Sequence, residues 1–274
     1  MDGRVLTIAG SDSGGGAGIQ ADIKTITALG GFATTAITAL TAQNTLGVSE
    51  VFPVDPFFVE SQVVAVLEDI GADAIKIGML ANRANVELLT RKLDLYARRI
   101  PVVLDPVMVS TTGSRLLDEA GVQALRSKLI SRCALITPNI PEAEVLTDTT
   151  ISDEADMYRA ADLLLLAGAP AVLIKGGHLQ GEGLLDLLRT ADGLEKRFES
   201  ERQETRATHG TGCTLSSAIA TSLAQGLTLE SSVARGIDYV QKAMRWARPL
   251  GNGPAGPLDH GFTLRQRSED EPLH

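Results

Sequence analysis

The 274-residue chain is 44% hydrophobic and carries a formal net charge of −9. A chain of this length buries a core without disulfide or metal staples, and its acidity repels nucleic-acid backbones, so neither DNA nor RNA is an expected partner. Cys133 and Cys213 stand far apart with no CxxC spacing, the N-terminal apolar run is too short for a signal peptide, and no apolar stretch reaches the ~18 residues of a membrane helix; the expectation is a cytoplasmic protein with no membrane association.

In chain order, short apolar runs at residues 5–9, 36–40, 74–77, 102–104, 134–136 and 171–174 read as buried strands bounded by Gly, Pro or Asp. Amphipathic patterns at 56–70, 82–98, 119–130 and 153–167 predict helices between them. Strands alternating with helical crossovers imply an α/β fold with a mostly parallel sheet and helices on both faces. Further along, residues 184–190 and 194–199 flank Ala191-Asp192-Gly193 and predict an antiparallel hairpin. Helices over 211–225 and 229–247 follow. Residues 265–274 are charged and aperiodic, so a frayed tail is expected after a single domain over 1–264.

The first segment with chemical content runs from Gly10 to Asp22, between a strand and a helix. Its glycines let a backbone approach a ligand closely. A Walker A loop would need Gly-Lys-Ser/Thr at its end, and there is no lysine before Lys24. Gly16, Gly18 and Ala21 fit a dinucleotide fingerprint, but the acidic residue required about twenty positions on is missing from 38–45. There remain a loop enclosing a small polar substrate, with Asp12 and Asp22 as contacts, and a glycine-rich turn with no ligand.

Asp105, at a strand's carboxyl end before Pro106, suits either a shared metal site or a turn. Residues 110–114, Ser-Thr-Thr-Gly-Ser, suit a mobile flap that excludes water. Asn139 and Glu142, three apart after another strand, suit a water-shelled Mg²⁺ carrying nucleotide phosphates, or a capping turn. Lys175, before Gly176-Gly177-His178, could neutralise phosphate charge or simply face solvent. In Thr208-His209-Gly210-Thr211-Gly212-Cys213-Thr214, a tight turn opens an apolar helix whose first N–H groups can converge on an anion, an oxyanion-hole arrangement. At that helix start Cys213 is expected to have a lowered pKa and to serve as general base; a small buried helix residue is the other use of a lone cysteine. Most of these segments sit where strands end, so one crevice could collect a phosphate donor, a metal and a small acceptor.

Residues 9–22, 41–45 (TAQNT), 76–80 (KIGML), 105–109 (DPVMV), 135–143 (LITPNIPEA), 175–178 (KGGH), 209–214 (HGTGCT) and 251–262 together resemble the hydroxymethylpyrimidine/phosphomethylpyrimidine kinases of thiamine biosynthesis, in the same order from about residue 4 to 263. The resemblance implies a ribokinase-like three-layer α/β/α sandwich. It implies two ATP- and Mg²⁺-dependent phosphorylations, of 4-amino-5-hydroxymethyl-2-methylpyrimidine and then of its monophosphate, by a homodimer. It places Gly10, Asp12, Ala17, Asp22 and Gln43 on the pyrimidine, with Met79 and Val107 as apolar walls. Lys175, Thr208, His209 and Asn139 fall on the nucleotide, Glu142 and Asp105 on the metal, and Gly210, Thr211, Gly212 and Cys213 at the reacting centre. Related sequences often have Lys after position 110, where this chain has Thr111-Thr112. A sister group that also phosphorylates pyridoxal has Cys where this chain has Ser110, which argues against a flap thiol here. A pyridoxal kinase and a non-catalytic nucleotide or vitamin binder are the alternative readings.

Overall fold

The computed structural model describes residues 2–110, 113–177 and 183–264. Within them, β1 (Arg4–Asp12), β2 (Phe32–Asn44), β3 (Gly47–Pro53), β4 (Ala74–Ile77), β5 (Val102–Leu104), β6 (Leu135–Ile136), β7 (Ala171–Lys175), β8 (Gly183–Thr190) and β9 (Glu195–Glu201) form one sheet. Their order is β3-β2-β1-β4-β5-β6-β7-β8-β9. The six strands from β2 to β7 in that order pair in parallel, and antiparallel β3 on one edge and β8–β9 on the other complete the sheet.

Alternation along each buried strand divides the side chains between two layers. Leu6, Ile75, Leu104, Ile136 and Val172 pack against α2 (Pro56–Asp69), α3 (Arg83–Tyr96), α4 (Glu119–Ala124), α5 (Ile140–Thr147) and α6 (Glu154–Leu166). Their sequence neighbours Val5, Ala74, Val103, Leu135 and Leu173 pack against α1 (Gly18–Ala28), α7 (Thr211–Ala224) and α8 (Leu229–Arg245). Each fully buried Leu or Ile contributes about 1.5–3 kcal/mol, so the parallel centre of the sheet, covered on both faces, is the stable frame. This is the three-layer sandwich expected from the sequence.

Helix starts fall into two classes. Asp55, Asn82, Asp118, Asn139, Asp153 and Thr228 cap α2, α3, α4, α5, α6 and α8 with side-chain oxygens on backbone N–H groups. The starts of α1 and α7, at Ala17 and Gly210, carry no side-chain cap. Both lie at the carboxyl end of the sheet.

Several elements differ from expectation. Residues 36–40 are the middle of a longer β2, and β3 has no strong sequence pattern because it is an edge strand, mostly exposed and paired only with β2. The helix expected over 119–130 is α4 followed by a π turn (Leu125–Leu129) and a 3₁₀ turn (Ile130–Arg132). The expected tail 265–274, Thr111-Thr112 of the flap, and His178 lie outside the described residues.

Candidate active site

β1 lies between β2 and β4, so the chain's progression across the sheet reverses there. Ligands of open α/β sheets bind beyond the strands' carboxyl ends at such a switch point. Here a cavity of about 700 Å³ occupies that place.

The loop after β1 is built around Asp12, which is 3% exposed. Its carboxylate accepts N–H bonds from Gly14 (2.7 Å), Gly16 (3.0 Å) and Ala17 (2.8 Å), and lies 3.0 Å from His209 Nε2. Burial alone would raise its pKa. The bonds from His209, Ala17 and Gly14 outweigh that and hold it below the usual carboxylate range. Asp12 therefore shapes the loop with its own oxygens. Gly10 and Ala17 line the cavity beside Gln43 and Met79. A Cβ on Gly10 would lie 2.9 Å from Met79 Sδ, so the thioether packs directly on the glycine.

The first turn of α7 stands over the middle of the cavity. Gly210 has φ +82°, and a Cβ there would fall 1.9 Å from the Gly16 carbonyl oxygen, so only glycine brings the two loops together. Among the described residues, the N–H groups of Thr211, Gly212 and Cys213 have no acceptor, and the first amide bonded back is that of Thr214, to Gly210 O at 2.9 Å. Three unpaired amides and the helix dipole thus face the cavity.

Charge surrounds that turn. A Cβ on Gly212 would sit 3.1 Å from both Asp105 Oδ2 and Lys175 Nζ. Lys175 Nζ is 2.9 Å from Asp105 Oδ1 and 3.9 Å from Glu142 Oε2. Burial works against the Lys175 ammonium, but Asp105 and Glu142 outweigh it and keep it firmly protonated. Asn139 and Glu142 form a reciprocal capping box at the start of α5, with Glu142 N–H to Asn139 Oδ1 at 2.9 Å and Asn139 N–H to Glu142 Oε2 at 2.8 Å. The capping alternative is realised, and Glu142 Oε1 is left over. Burial, reinforced by Asp105, pushes the Glu142 carboxyl up to about 7.

Asp22 requires a correction. It is fully buried and does not line the cavity. Its oxygens accept from Lys76 Nζ (2.8 and 2.9 Å), Thr7 Oγ1 (2.5 Å) and Ser217 Oγ (2.7 Å), so no acceptor is left for a substrate. The sequence reading gave Lys76 no role, yet among the described residues it is the largest fully buried side chain. A charged residue inside the apolar strand 74–77 was the available signal.

The expectation for Cys213 is also corrected. Burial pushes its thiol up to about 11; Lys76 and the Gly18 amide pull it down, while Asp22 and Asp105 push it up. Its place at the start of α7 does not make it a thiolate in the ligand-free protein.

His209, expected on the nucleotide, has its ring 3.0 Å from Asp12 and 3.3 Å from the Gln43 amide. A Cβ on Gly16 would meet its ring at 2.5 Å. Thr208, Val107 and Lys175 also line the cavity. The far end, by β8, β9 and α8, is lined by Leu184, Ile237, Val240 and Met244 with polar Ser200 and Gln241. No motif announces it. Asp186 lies at its edge, accepts Gly176 N–H at 2.9 Å, and is raised by burial to about 6. A lone acid in the apolar run 184–188 was its only signal. The cavity thus has a polar end at Gln43, an apolar end at α8, and an anion-holding centre between them.

The family model for phosphomethylpyrimidine kinase matches residues 12–259. The chain belongs to the phosphomethylpyrimidine kinase family. It is 50% identical over 258 residues to the thiamine biosynthesis bifunctional protein ThiED of Geobacter sulfurreducens, covering 94% of this chain and 52% of that protein. It therefore spans about half the length of that relative. It is 45% identical to the hydroxymethylpyrimidine/phosphomethylpyrimidine kinase of Rhizobium meliloti, covering 95% of this chain and 97% of that one. The fold is the ribokinase-like one of two solved relatives. The ADP complex of Bacillus subtilis pyridoxal kinase superposes with a TM-score of 0.87 at 34% identity, over 97% of this chain and all (100%) of that chain. The phosphomethylpyrimidine kinase of Clostridium difficile 630 superposes with 0.78 at 41% identity, over 88% of this chain and 98% of that one. The order of TM-scores follows coverage and the order of identities is the reverse, so backbone likeness does not choose the acceptor; the site does.

Proposed function

We propose that this kinase transfers the γ-phosphoryl group of ATP to the hydroxymethyl oxygen of 4-amino-5-hydroxymethyl-2-methylpyrimidine, and a second one to the resulting monophosphate, for thiamine biosynthesis. The observation that carries the reading is the uncapped first turn of α7. Its three unpaired amides stand mid-cavity beside Lys175, where negative charge gathers as a phosphoryl group moves. Gln43, Met79 and Val107 form the acceptor end, and the apolar end at α8 takes the nucleobase. Thr211, Gly212 and Cys213 hold the migrating group through backbone N–H, and Lys175 offsets its charge.

Cys213 is the side chain nearest the reaction that can take the acceptor's proton. A thiol near 11 does not do so at rest. It needs a loaded site in which Lys76 and the Gly18 amide are no longer outweighed by burial, Asp22 and Asp105. A loose phosphoryl-transfer transition state asks little of a base early on, which suits such an order of events.

Two carboxylate oxygens, Glu142 Oε1 and Asp105 Oδ2, accept no hydrogen bond among the described residues. That donor set fits Mg²⁺, which keeps most of its waters and binds through one or two carboxylates plus substrate phosphates. Mg²⁺ there would supply charge neutralisation on the triphosphate.

The reading extends to one kinase domain over 1–264, a cytoplasmic location and a homodimer. The first rests on the single sheet, the second on the family alone. The third is supported by Leu40 and Phe52, which pair across β2 and β3, and by Phe57 and Phe58, all exposed along one edge. The test of the activity is product analysis with the pyrimidine, ATP and Mg²⁺, followed by mass spectrometry. Monophosphate and then diphosphate are expected. Background ATP consumption would refute catalysis, and faster turnover of pyridoxal would overturn the acceptor.

A further inference from the structure

Gln43 stands between two partners whose own chemistry decides which end of its amide is which. One end, placed as the nitrogen, lies 3.3 Å from His209 Nε2, and the other, placed as the oxygen, 3.1 Å from Thr41 Oγ1; the partners call for the reverse assignment. The two ends of a carboxamide have the same size and opposite hydrogen-bonding character.

His209 Nε2 is also 3.0 Å from Asp12 Oδ2. An ionised carboxylate only accepts, so Nε2 must carry a hydrogen and donate it to Asp12. Asp12 stays ionised because Gly14, Gly16 and Ala17 all donate to it. A protonated Nε2 has no lone pair left, so the Gln43 group facing it can only be an acceptor that shares this hydrogen with Asp12. An amide nitrogen there would set two donors against each other.

The other end gives the same answer independently. Thr41 Oγ1 has one hydrogen and is 3.0 Å from the Ser11 carbonyl, which only accepts. Its hydrogen goes there, and its lone pair is left to accept from Gln43. The group facing Thr41 must be the NH₂.

We propose that His209, with Thr41, is a positioning residue that locks the Gln43 amide with its oxygen toward His209 and its nitrogen toward Thr41. The lock fixes the order of acceptor and donor that Gln43 presents to a ring edge. An aminopyrimidine offers the complement, an exocyclic N–H beside a ring nitrogen. A pyridine without that pair does not. His209 is itself held in place: its side chain is 12% exposed, its ring packs on Gly16, and its backbone N–H donates to Gly256 O at 3.0 Å. Selectivity for the ring therefore rests on a residue that the ring need not touch. The proposal deepens the pyrimidine-kinase reading and rests on it for the identity of the acceptor.

The first test uses wild-type protein and no substrate. Long-range ¹H–¹⁵N correlation on ¹⁵N-histidine protein should show His209 Nε2 protonated, with His209→Gln used for assignment. A bare, pyridine-like Nε2 overturns the lock. The second test compares kcat/KM for the hydroxymethylpyrimidine and for pyridoxal in His209→Ala, His209→Gln and Thr41→Val. Losing one partner of a buried polar array costs roughly 10- to 100-fold. That loss is expected for the pyrimidine in His209→Ala and Thr41→Val, with a selectivity ratio at least about tenfold lower and the KM for ATP within about twofold. The amide N–H of His209→Gln should restore part of it. An unchanged ratio in both Ala and Val variants refutes the proposal. Wild-type protein inert toward the pyrimidine refutes the acceptor assignment instead, and the nitrogen measurement still decides the lock.

Discussion

Replacing Lys76 by Met leaves the Asp22 carboxylate alone in the core. In the native protein both side chains are fully buried and joined by bonds of 2.8 and 2.9 Å, and Thr7 and Ser217 donate to the same oxygens. Burial works against the Lys76 ammonium, yet Asp22, with Cys213 and Asp105, raises its pKa above the usual lysine value, so Lys76 stays protonated at every working pH. Removing one partner of a buried pair costs about 3–5 kcal/mol, because the other charge stays behind without water. A chain of this size loses about 2–4 °C of Tm per kcal/mol, so Lys76→Met should lower Tm by roughly 10 °C. Adding Asp22→Asn removes the stranded charge while Thr7 and Ser217 keep a polar partner. The double variant should recover at least about 1 kcal/mol relative to the sum of the single losses. The assay is urea unfolding of wild type, both single variants and the double variant, with ATP turnover as a second readout. Additive losses, or a loss below about 1 kcal/mol for Lys76→Met, would refute the idea that a coupled ion pair supports the floor of the site.

Alkylation of Cys213 in the ligand-free protein should keep accelerating as pH rises toward about 11, whereas a plateau near pH 8 would show that the resting group is a thiolate. Cys213→Ala should lower turnover by a factor on the order of 10²–10⁴ while nucleotide binding survives; near-normal turnover would leave only the amides as the catalytic element. Asp186 has a folded-state pKa of about 6, above the ~3.9 of an unfolded carboxyl, so the folded state binds its proton more tightly. Stability contributed by that proton is present below about pH 4 and lost as pH rises to about 6. Asp186→Asn should flatten that decline in denaturation experiments run from pH 4 to 7; an unaltered slope would contradict it.

The parts of the site written as short motifs were legible in the sequence because strand ends concentrate them. Gly10, Gln43, Asp105, Glu142, Lys175 and Cys213 are far apart in the chain and meet in one cavity because parallel strands all point the same way. What misled was pairing across the sheet. Asp22 lies within α1, which turns it toward β4, where Lys76 waits 54 residues away. Cys213 shows competition of another kind: Lys76 and the Gly18 amide favour thiolate, but burial and two carboxylates outweigh them. His209 was placed on the nucleotide by resemblance alone, and nothing in the sequence announces that its ring lies against Asp12, 197 residues away. The apolar end by α8 left no motif because its lining residues, such as Leu184 and Val240, look like any other core positions.

The central claim is that the amides opening α7 hold the transferring phosphate between the two ends of the cavity. A crystal structure with the hydroxymethylpyrimidine and a non-hydrolysable ATP analogue tests it most directly. Phosphate oxygens within about 2.7–3.2 Å of the N–H groups of Thr211, Gly212 and Cys213, with the ring on Gln43 and its hydroxymethyl oxygen turned toward Cys213, are predicted. A triphosphate bound along Gly14–Gly18, with those three amides facing only water, would contradict it.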